Sequence, residues 1–348
     1  MSKPPPLTAN QRLRLQGYLD GMPRLGPETV HIDITNACNL DCVTCWNYAP
    51  GLASPKDMAW KALRMGAPAF HRILAEVAAS GAERIILSGG GEPFTHPDIH
   101  DFIAAVKARE LALTVITNGT LCDFPTLAEL GVDQLLVNMS SASAESYVAY
   151  HPNQPPETFA QLLDGIASIQ GRIGVNLVQV INAINAAELP AMVDLAHQVG
   201  ARLSCKLGDT PPGTEACALS KEQRKALLYR DIPAARKQAK ALDVRHNLEA
   251  FAAQLAGSRN GDAPPPCFAG YLYSRVFVDG RIFFCCEHID VGHMNAGPFE
   301  PQWRGPAYQA LRQRLAAGQG FPGCARCGKH DMNYTAARQL AAMDAAAP

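Results

Sequence analysis

The stretch that most constrains this chain is Cys38-Asn39-Leu40-Asp41-Cys42-Val43-Thr44-Cys45-Trp46, three cysteines spaced C-x₃-C-x₂-C with an aromatic directly behind them. Three thiolates can grip three corners of a [4Fe–4S] cube and leave the fourth iron open, whereas most protein-held clusters are closed by four cysteines. An open iron is a place for a small molecule to chelate. The competing readings are three buried thiols or a zinc site. Zinc normally wants a second ligand pair, and none lies nearby in the sequence.

The flanking pattern gives this segment a position. Val30-His31-Ile32-Asp33-Ile34-Thr35 alternates apolar and polar and reads as a first strand, with the cysteine loop directly after it. In a β/α barrel, chemistry sits in loops at the C-terminal ends of strands. A helix is expected over 57–80. A buried strand, Arg84-Ile85-Ile86-Leu87-Ser88, runs into Gly89-Gly90-Gly91-Glu92-Pro93. Consecutive glycines let backbone approach a ligand closely, and a carboxylate or strand-end carbonyls can accept from an ammonium group; alone, the run also reads as a tight turn. Further strands are expected at 112–117, 134–139, 174–181 and 202–207, with helices at 96–108, 157–170 and 186–199. Six strands alternating with helices imply a parallel sheet, two units short of an eight-fold barrel.

Together the cysteine and glycine motifs resemble those of the radical S-adenosylmethionine (SAM) superfamily. The resemblance implies an α/β fold, a partial (β/α)₆ TIM-like barrel over 29–212, open on one side to admit substrate. It implies that Cys38, Cys42 and Cys45 hold a cluster whose open iron takes the amino and carboxylate groups of SAM. One electron then cleaves SAM to methionine and a 5′-deoxyadenosyl radical, which abstracts a substrate hydrogen. Gly90, Gly91 and Glu92 match the family's G-G-E element for the SAM amino group. Asn138 and Ser140 match the position that holds the ribose, and Trp46 is placed to pack near the adenine. Asn118, Asn176 and Gln179 are strand-end candidates for SAM or substrate contacts. Asn118 also reads as a turn residue, and alternation does not decide which of Asn176 and Gln179 faces the pocket.

Beyond the barrel, 213–266 reads as a helical connector, with helices at 219–242 and 247–257 and a Gly/Pro-rich linker from 257. Region 267–348 brings a second cysteine set. Cys267 precedes a hairpin, 273–278 and 281–284, around the turn pair Asp279-Gly280. Cys285 and Cys286 end its second arm, a helix is expected over 307–316, and Cys324-Ala325-Arg326-Cys327 follows. Hairpin plus C-x₂-C is also how zinc ribbons are built. The arrangement resembles the SPASM/twitch extensions of radical SAM enzymes, which carry auxiliary [4Fe–4S] clusters. A full SPASM domain has further cysteines after the C-x₂-C, but Gly328 to Pro348 contains none. One auxiliary cluster is therefore implied, held by Cys267, Cys285, Cys324 and Cys327, and spacing from Gly280 favours Cys285 over Cys286.

Composition narrows the partners. A net charge of −1 over 348 residues gives no argument for nucleic acid or membrane, and no apolar run reaches a membrane span. The first residues lack an apolar core, so no signal peptide is read there, and a helix over 8–22, within a leader of 1–28, is short for a peptide-recognition domain. Eleven cysteines without secretion argue for a reducing, cytoplasmic setting and metal ligation. A fully ligated second cluster suits electron transfer. The expected reaction is therefore oxidation of a small hydroxylated or sugar-like substrate, with the auxiliary cluster as electron acceptor and a flavodoxin- or ferredoxin-type partner as reductant. His151, Lys206 and Asp209 are base candidates, each of which reads equally as an ordinary loop residue. The alternatives are an epimerase with Cys205, Cys217 or Cys286 as hydrogen donor, or a ribosomal-peptide-modifying enzyme. Cys122 reads as a core or loop thiol, and any buried thiol can be merely a small hydrophobe. An iron–sulfur electron carrier is the non-enzyme class, against which the open iron argues.

Overall fold

Six parallel strands stand side by side in chain order: β1 (Thr29–Thr35), β2 (Arg84–Gly89), β3 (Ala112–Thr117), β4 (Gln134–Asn138), β5 (Gly174–Ile181) and β6 (Arg202–Leu207). The computed structural model describes residues 7–256, 266–285 and 288–344; most of the expected linker, and Cys286, lie outside the described residues. A seventh strand, β7 (Tyr273–Val276), pairs parallel with the free side of β1, and antiparallel β8 (Arg281–Phe283) and β9 (Asp290–His293) follow. The sheet order is β6-β5-β4-β3-β2-β1-β7-β8-β9, a partial barrel that does not close. The expected hairpin is present, turning at Gly280 with φ 90°. It extends the barrel sheet through β1 instead of standing apart, and β9 is an addition that the sequence did not announce.

The register sorts every strand residue onto one of two faces, because paired residues in neighbouring strands point the same way. Val30 and Ile32 pair with Ile85 and Leu87, and the row continues through Leu113 and Val115, Leu135 and Val137, Val175 and Leu177, to Leu203. All are buried in one core with the helices that return between strands. At about 1.5–3 kcal/mol for each fully buried aliphatic side chain, this row fixes the strand register. The opposite face carries His31, Asp33, Ser88, Thr114, Asn138, Asn176, Ser204 and Lys206, with half-buried Ile86, Ile116 and Leu136 among them. This inner face is polar and open.

Two long helices expected from the sequence are interrupted. The span 57–80 forms Met58–Lys61 and Ala67–Ala79. Between them Arg64 and Met65 cross the end of β1, where the Met65 amide donates to Ile34 O. Pro68 lacks the amide a continuous helix needs, so the second helix starts afresh at Gly66. The span 219–242 contains a π-turn at Leu227–Asp231, just ahead of Pro233. Short helices Phe124–Glu129 and Ala144–Tyr150, and the later helices Phe299–Arg304 and His330–Asp344, were not anticipated. The N-terminal helix Ala9–Leu19 opens with a capping box of Thr8 and Gln11. It docks through Leu15 onto Phe268, Leu272 and Ala336. Among the described residues no helix is long and apolar enough to cross a membrane.

Candidate active site

The cysteine loop leaves the C-terminal end of β1 and is clamped from several sides. The Asn39 side chain donates to Thr120 Oγ1 (2.8 Å) and accepts from Asn118 Nδ2 (3.0 Å). Asn153 bonds both Asn39 O and the Asp41 amide. The Val43 amide donates to Tyr150 O, and the Thr44 hydroxyl meets the Tyr150 hydroxyl at 2.6 Å. Residues after β3 and β4 thus set the shape of a segment whose own chain is irregular.

The three cysteines are free, half-buried thiols. Burial pushes Cys38 up to about 12 and raises Cys42 and Cys45 as well, and for Cys42 the neighbouring Cys45 and Cys38 add to it. A bound cation reverses that balance and deprotonates its thiols outright. The sulfurs also accept backbone amides, Leu40 N to Cys38 (3.4 Å) and Asn47 N to Cys45 (3.5 Å). The second set repeats the pattern, with Phe321 N to Cys324 (3.2 Å) and Lys329 N to Cys327 (3.3 Å). Amide donors suit thiolate sulfur in iron–sulfur clusters, where such bonds tune the centre, so the residues present fit the group.

The glycines after β2 are there for contact. A Cβ on Gly89 would stand 1.9 Å from Thr35 O, and one on Gly91 2.0 Å from Ala37 O. Gly90 O accepts Asn47 Nδ2 at 2.9 Å, and the Glu92 amide donates to Ala37 O at 2.8 Å. The run is pressed against the root of the cysteine loop. The Glu92 carboxylate itself points into the sheet, 2% exposed. It accepts the Thr117 hydroxyl (2.7 Å) and the Phe94 and Asn118 amides (3.1 and 2.6 Å). Burial raises it to about 7 against the pull of those bonds. Its carboxylate is therefore occupied by protein donors.

The remaining sequence candidates separate by face. Asn138 and Asn176 lie on the inner face, Asn176 donating to Ser204 Oγ at 3.0 Å. Gln179 does not: it pairs with Cys205 on the helix-facing row, fully buried. Cys205 lies there too, 2% exposed, its thiol raised by burial and 4.0 Å from Gln179 Oε1. That removes Cys205 as a donor to a radical inside the barrel. His151 is fully buried against Tyr147 and Tyr150 and lowered to about 4 by burial, so it is withdrawn as a base. Ser140 is buried at φ 49° and bonds Asn138 and the Val180 amide. Its side chain is therefore engaged at the strand end, beside the inner-face Asn138. Trp46 is 62% exposed and stacks on His288 with ring centroids 6.4 Å apart. Lys206 is exposed on the inner face and Asp209 is half-buried in the loop after β6.

Sequence reading missed a buried network on β1 and β7. Arg275 grips Asp33 through two bonds of 2.8 and 2.9 Å, and the Tyr273 hydroxyl meets His31 Nδ1 at 3.0 Å. The signal was present in the alternation of β1, which places His31 and Asp33 together, opposite Val30, Ile32 and Ile34.

Comparison with known proteins gives this geometry a lineage. The model of the Radical SAM superfamily matches residues 32–196, and that of SPASM, an iron–sulfur cluster-binding domain, matches residues 267–328. The GTP 3′,8-cyclase of Chlorobaculum tepidum is 24% identical over 277 residues, 74% of this chain and 78% of that protein. The PqqA peptide cyclase of a Methylobacterium species is 29% identical over 175 residues, 49% of this chain but only 43% of that protein. The crystal structure of Streptococcus suis SuiB bound to precursor peptide SuiA superposes with a TM-score of 0.63 at 16% identity, covering 91% of this chain and 73% of that one; the likeness is one of fold. The chain belongs to the radical SAM superfamily and carries a C-terminal SPASM-type domain, with SAM and two iron–sulfur clusters as its cofactors.

Proposed function

We propose that this enzyme takes a hydrogen atom from a substrate held inside the partial barrel and then oxidises the substrate radical, dehydrogenating a hydroxylated carbon of a small molecule. Cys38, Cys42 and Cys45 would hold the SAM-binding cluster at the end of the 29–212 barrel. Cys267, Cys285, Cys324 and Cys327 would hold the auxiliary one. When bound, these groups supply the 5′-deoxyadenosyl radical and a one-electron acceptor. The chain's own part is to orient and to take a proton. Asn138 and Asn176 are the inner-face amides for SAM or substrate, and Asp209 is the acceptor for the hydroxyl proton. A flavodoxin- or ferredoxin-type donor in the cytoplasm would supply the electron.

The observation that carries this reading is the pairing of β7 with β1. Because β7 runs parallel to β1 and β8 returns antiparallel, Cys267 and Cys285 lie toward the N-terminal end of β1 while Cys38, Cys42 and Cys45 follow its C-terminal end, so one strand links the two sets. Oxidation is preferred to epimerisation because, among the described residues, Cys205 faces the helices and the Cys217 thiol donates to Val43 O at 3.7 Å. The names of the relatives favour a second outcome of the same radical, ring closure in a peptide or nucleotide. A deuterium label tests both. Reduced enzyme incubated with SAM and labelled candidates should transfer deuterium into deoxyadenosine, and the product should be two hydrogens lighter or cyclised. Cys324→Ala should spare SAM cleavage and lower product yield; an undiminished yield contradicts electron transfer through the second cluster.

A further inference from the structure

Two helices lie outside both matched domains, Ala9–Leu19 ahead of the barrel and His330–Asp344 behind the C-x₂-C turn. They meet at one place. Leu15 of the first and Ala336 of the second close a small core around Phe268 and Leu272, with Tyr18, Met332 and Leu340 at its edge. Met332, Ala336 and Leu340 recur every four residues and so share one helix face. Phe268, at the centre, is fully buried and directly follows Cys267.

Both helices also hold the Cys267 turn directly. The Asn333 side chain, 6% exposed, accepts the Phe268 amide at 2.9 Å. A buried amide left without an acceptor is costly, so this bond fixes the backbone beside Cys267. The Tyr18 ring lies against Phe268 with centroids 4.3 Å apart and meets Tyr271 edge-on at 5.3 Å. Burial, and then the Cys267 thiol near it, raise the Tyr18 phenol. The first helix has a separate anchor on the barrel side. Its buried Arg14 donates to Gly26 O at 3.0 Å, to Glu83 Oε1 at 2.7 Å and to Gly81 O. Tyr18 thus reaches the Cys267 turn from a helix whose seat does not depend on that turn.

We propose that the two helices form a cap on the auxiliary centre, in which Asn333 positions Cys267 for ligation and the Tyr18 ring keeps water from that side of the cluster. Asn333 and Tyr18 are positioning residues, and neither is a ligand. The shell around the ligands and its exposure to solvent tune an iron–sulfur centre. Reduction adds negative charge, which costs more in apolar surroundings than beside water. A dry cap therefore holds the potential of the second cluster down. This rests on the reading that Cys267 is one of that cluster's ligands.

The test uses full-length protein reconstituted anaerobically, with iron counted and the potentials of the two clusters read by redox titration under electron paramagnetic resonance. Tyr18→Ala should raise the potential of the second cluster alone and shorten its survival in air several-fold, with deoxyadenosine formation retained. Tyr18→Phe, which keeps the ring, should match wild type. Asn333→Leu should lower iron from about eight per chain toward about four, and Asn333→Asp, which keeps an acceptor, should hold more of it. An unmoved potential and air survival in Tyr18→Ala, or full iron in Asn333→Leu, overturns the proposal. Loss of SAM cleavage in Tyr18→Ala also overturns it, since Arg14 still seats the helix. Wild type that binds only about four irons removes Cys267 as a ligand and the cap with it, whereas about eight irons in wild type with unaffected variants removes the cap alone.

Discussion

Glu92 shows how far a single residue's role depends on its surroundings. Its carboxyl group is buried, accepts three protein donors, and is raised to about 7. A carboxyl whose folded value exceeds its unfolded one binds extra proton in the folded state, so its contribution is complete at low pH and is lost as pH rises from about 4.5 to about 7. Glu92→Gln presents a donor amide where the site offers donors, and should cost about 1–3 kcal/mol. That cost should be larger at pH 5 than at pH 7.5 in urea unfolding of wild type and variant side by side; a cost that grows with pH would show the carboxylate ionised throughout. Legibility at this scale followed residue type better than residue direction. The cysteines, Asn118 and the glycines could be singled out by spacing. That Gln179 and Cys205 turn toward the helices could not, because β5 and β6 are apolar on one face and mixed on the other, and only register decides. His151 looked like a base because a sequence does not display its burial between Tyr147 and Tyr150.

At the scale of the element, the turn after β2 makes the sharpest demand on sequence. A Cβ at Gly91 would meet Ala37 C and O and Asn36 O, all backbone atoms, within 2.5 Å. Gly91→Ala should therefore push the cysteine loop away from β2. The expected result is a loss of about 1–3 kcal/mol and a fall in iron bound on reconstitution, read by melting temperature and iron assay. Unchanged iron content would mean that the loop does not depend on this contact. The strands were legible almost to the residue because continuous apolar runs bounded by Gly or Asn leave little freedom. The helices over 57–80 and 219–242 were read as single because amphipathic spacing survives across a break. It is Pro68, and the return of Arg64 to pair with Thr35, that divides the first.

For the whole molecule, the join between β1 and β7 unites the two cysteine regions into one sheet. The Asp33–Arg275 pair lies inside that join, and removing one partner leaves the other charge buried. Arg275→Met should cost about 3–5 kcal/mol, with the double replacement Asp33→Asn, Arg275→Met costing less. Denaturant unfolding of the three forms checks this, and equal loss in single and double variants would contradict it. The family and its fold could be read from two motifs. The continuity of the sheet could not, because the pairing of β7 with β1 spans most of the chain and no local pattern announces it. Radical formation depends above all on the thiolates of Cys38, Cys42 and Cys45. The most direct measurement is deoxyadenosine formed from SAM by anaerobically reconstituted, reduced enzyme, with iron counted on the same sample. The expected result is about eight irons per chain, the content of two four-iron clusters, with cleavage abolished by alanine at any of these three positions. Cleavage that survives those replacements, or a reconstituted centre that SAM does not perturb, would contradict it.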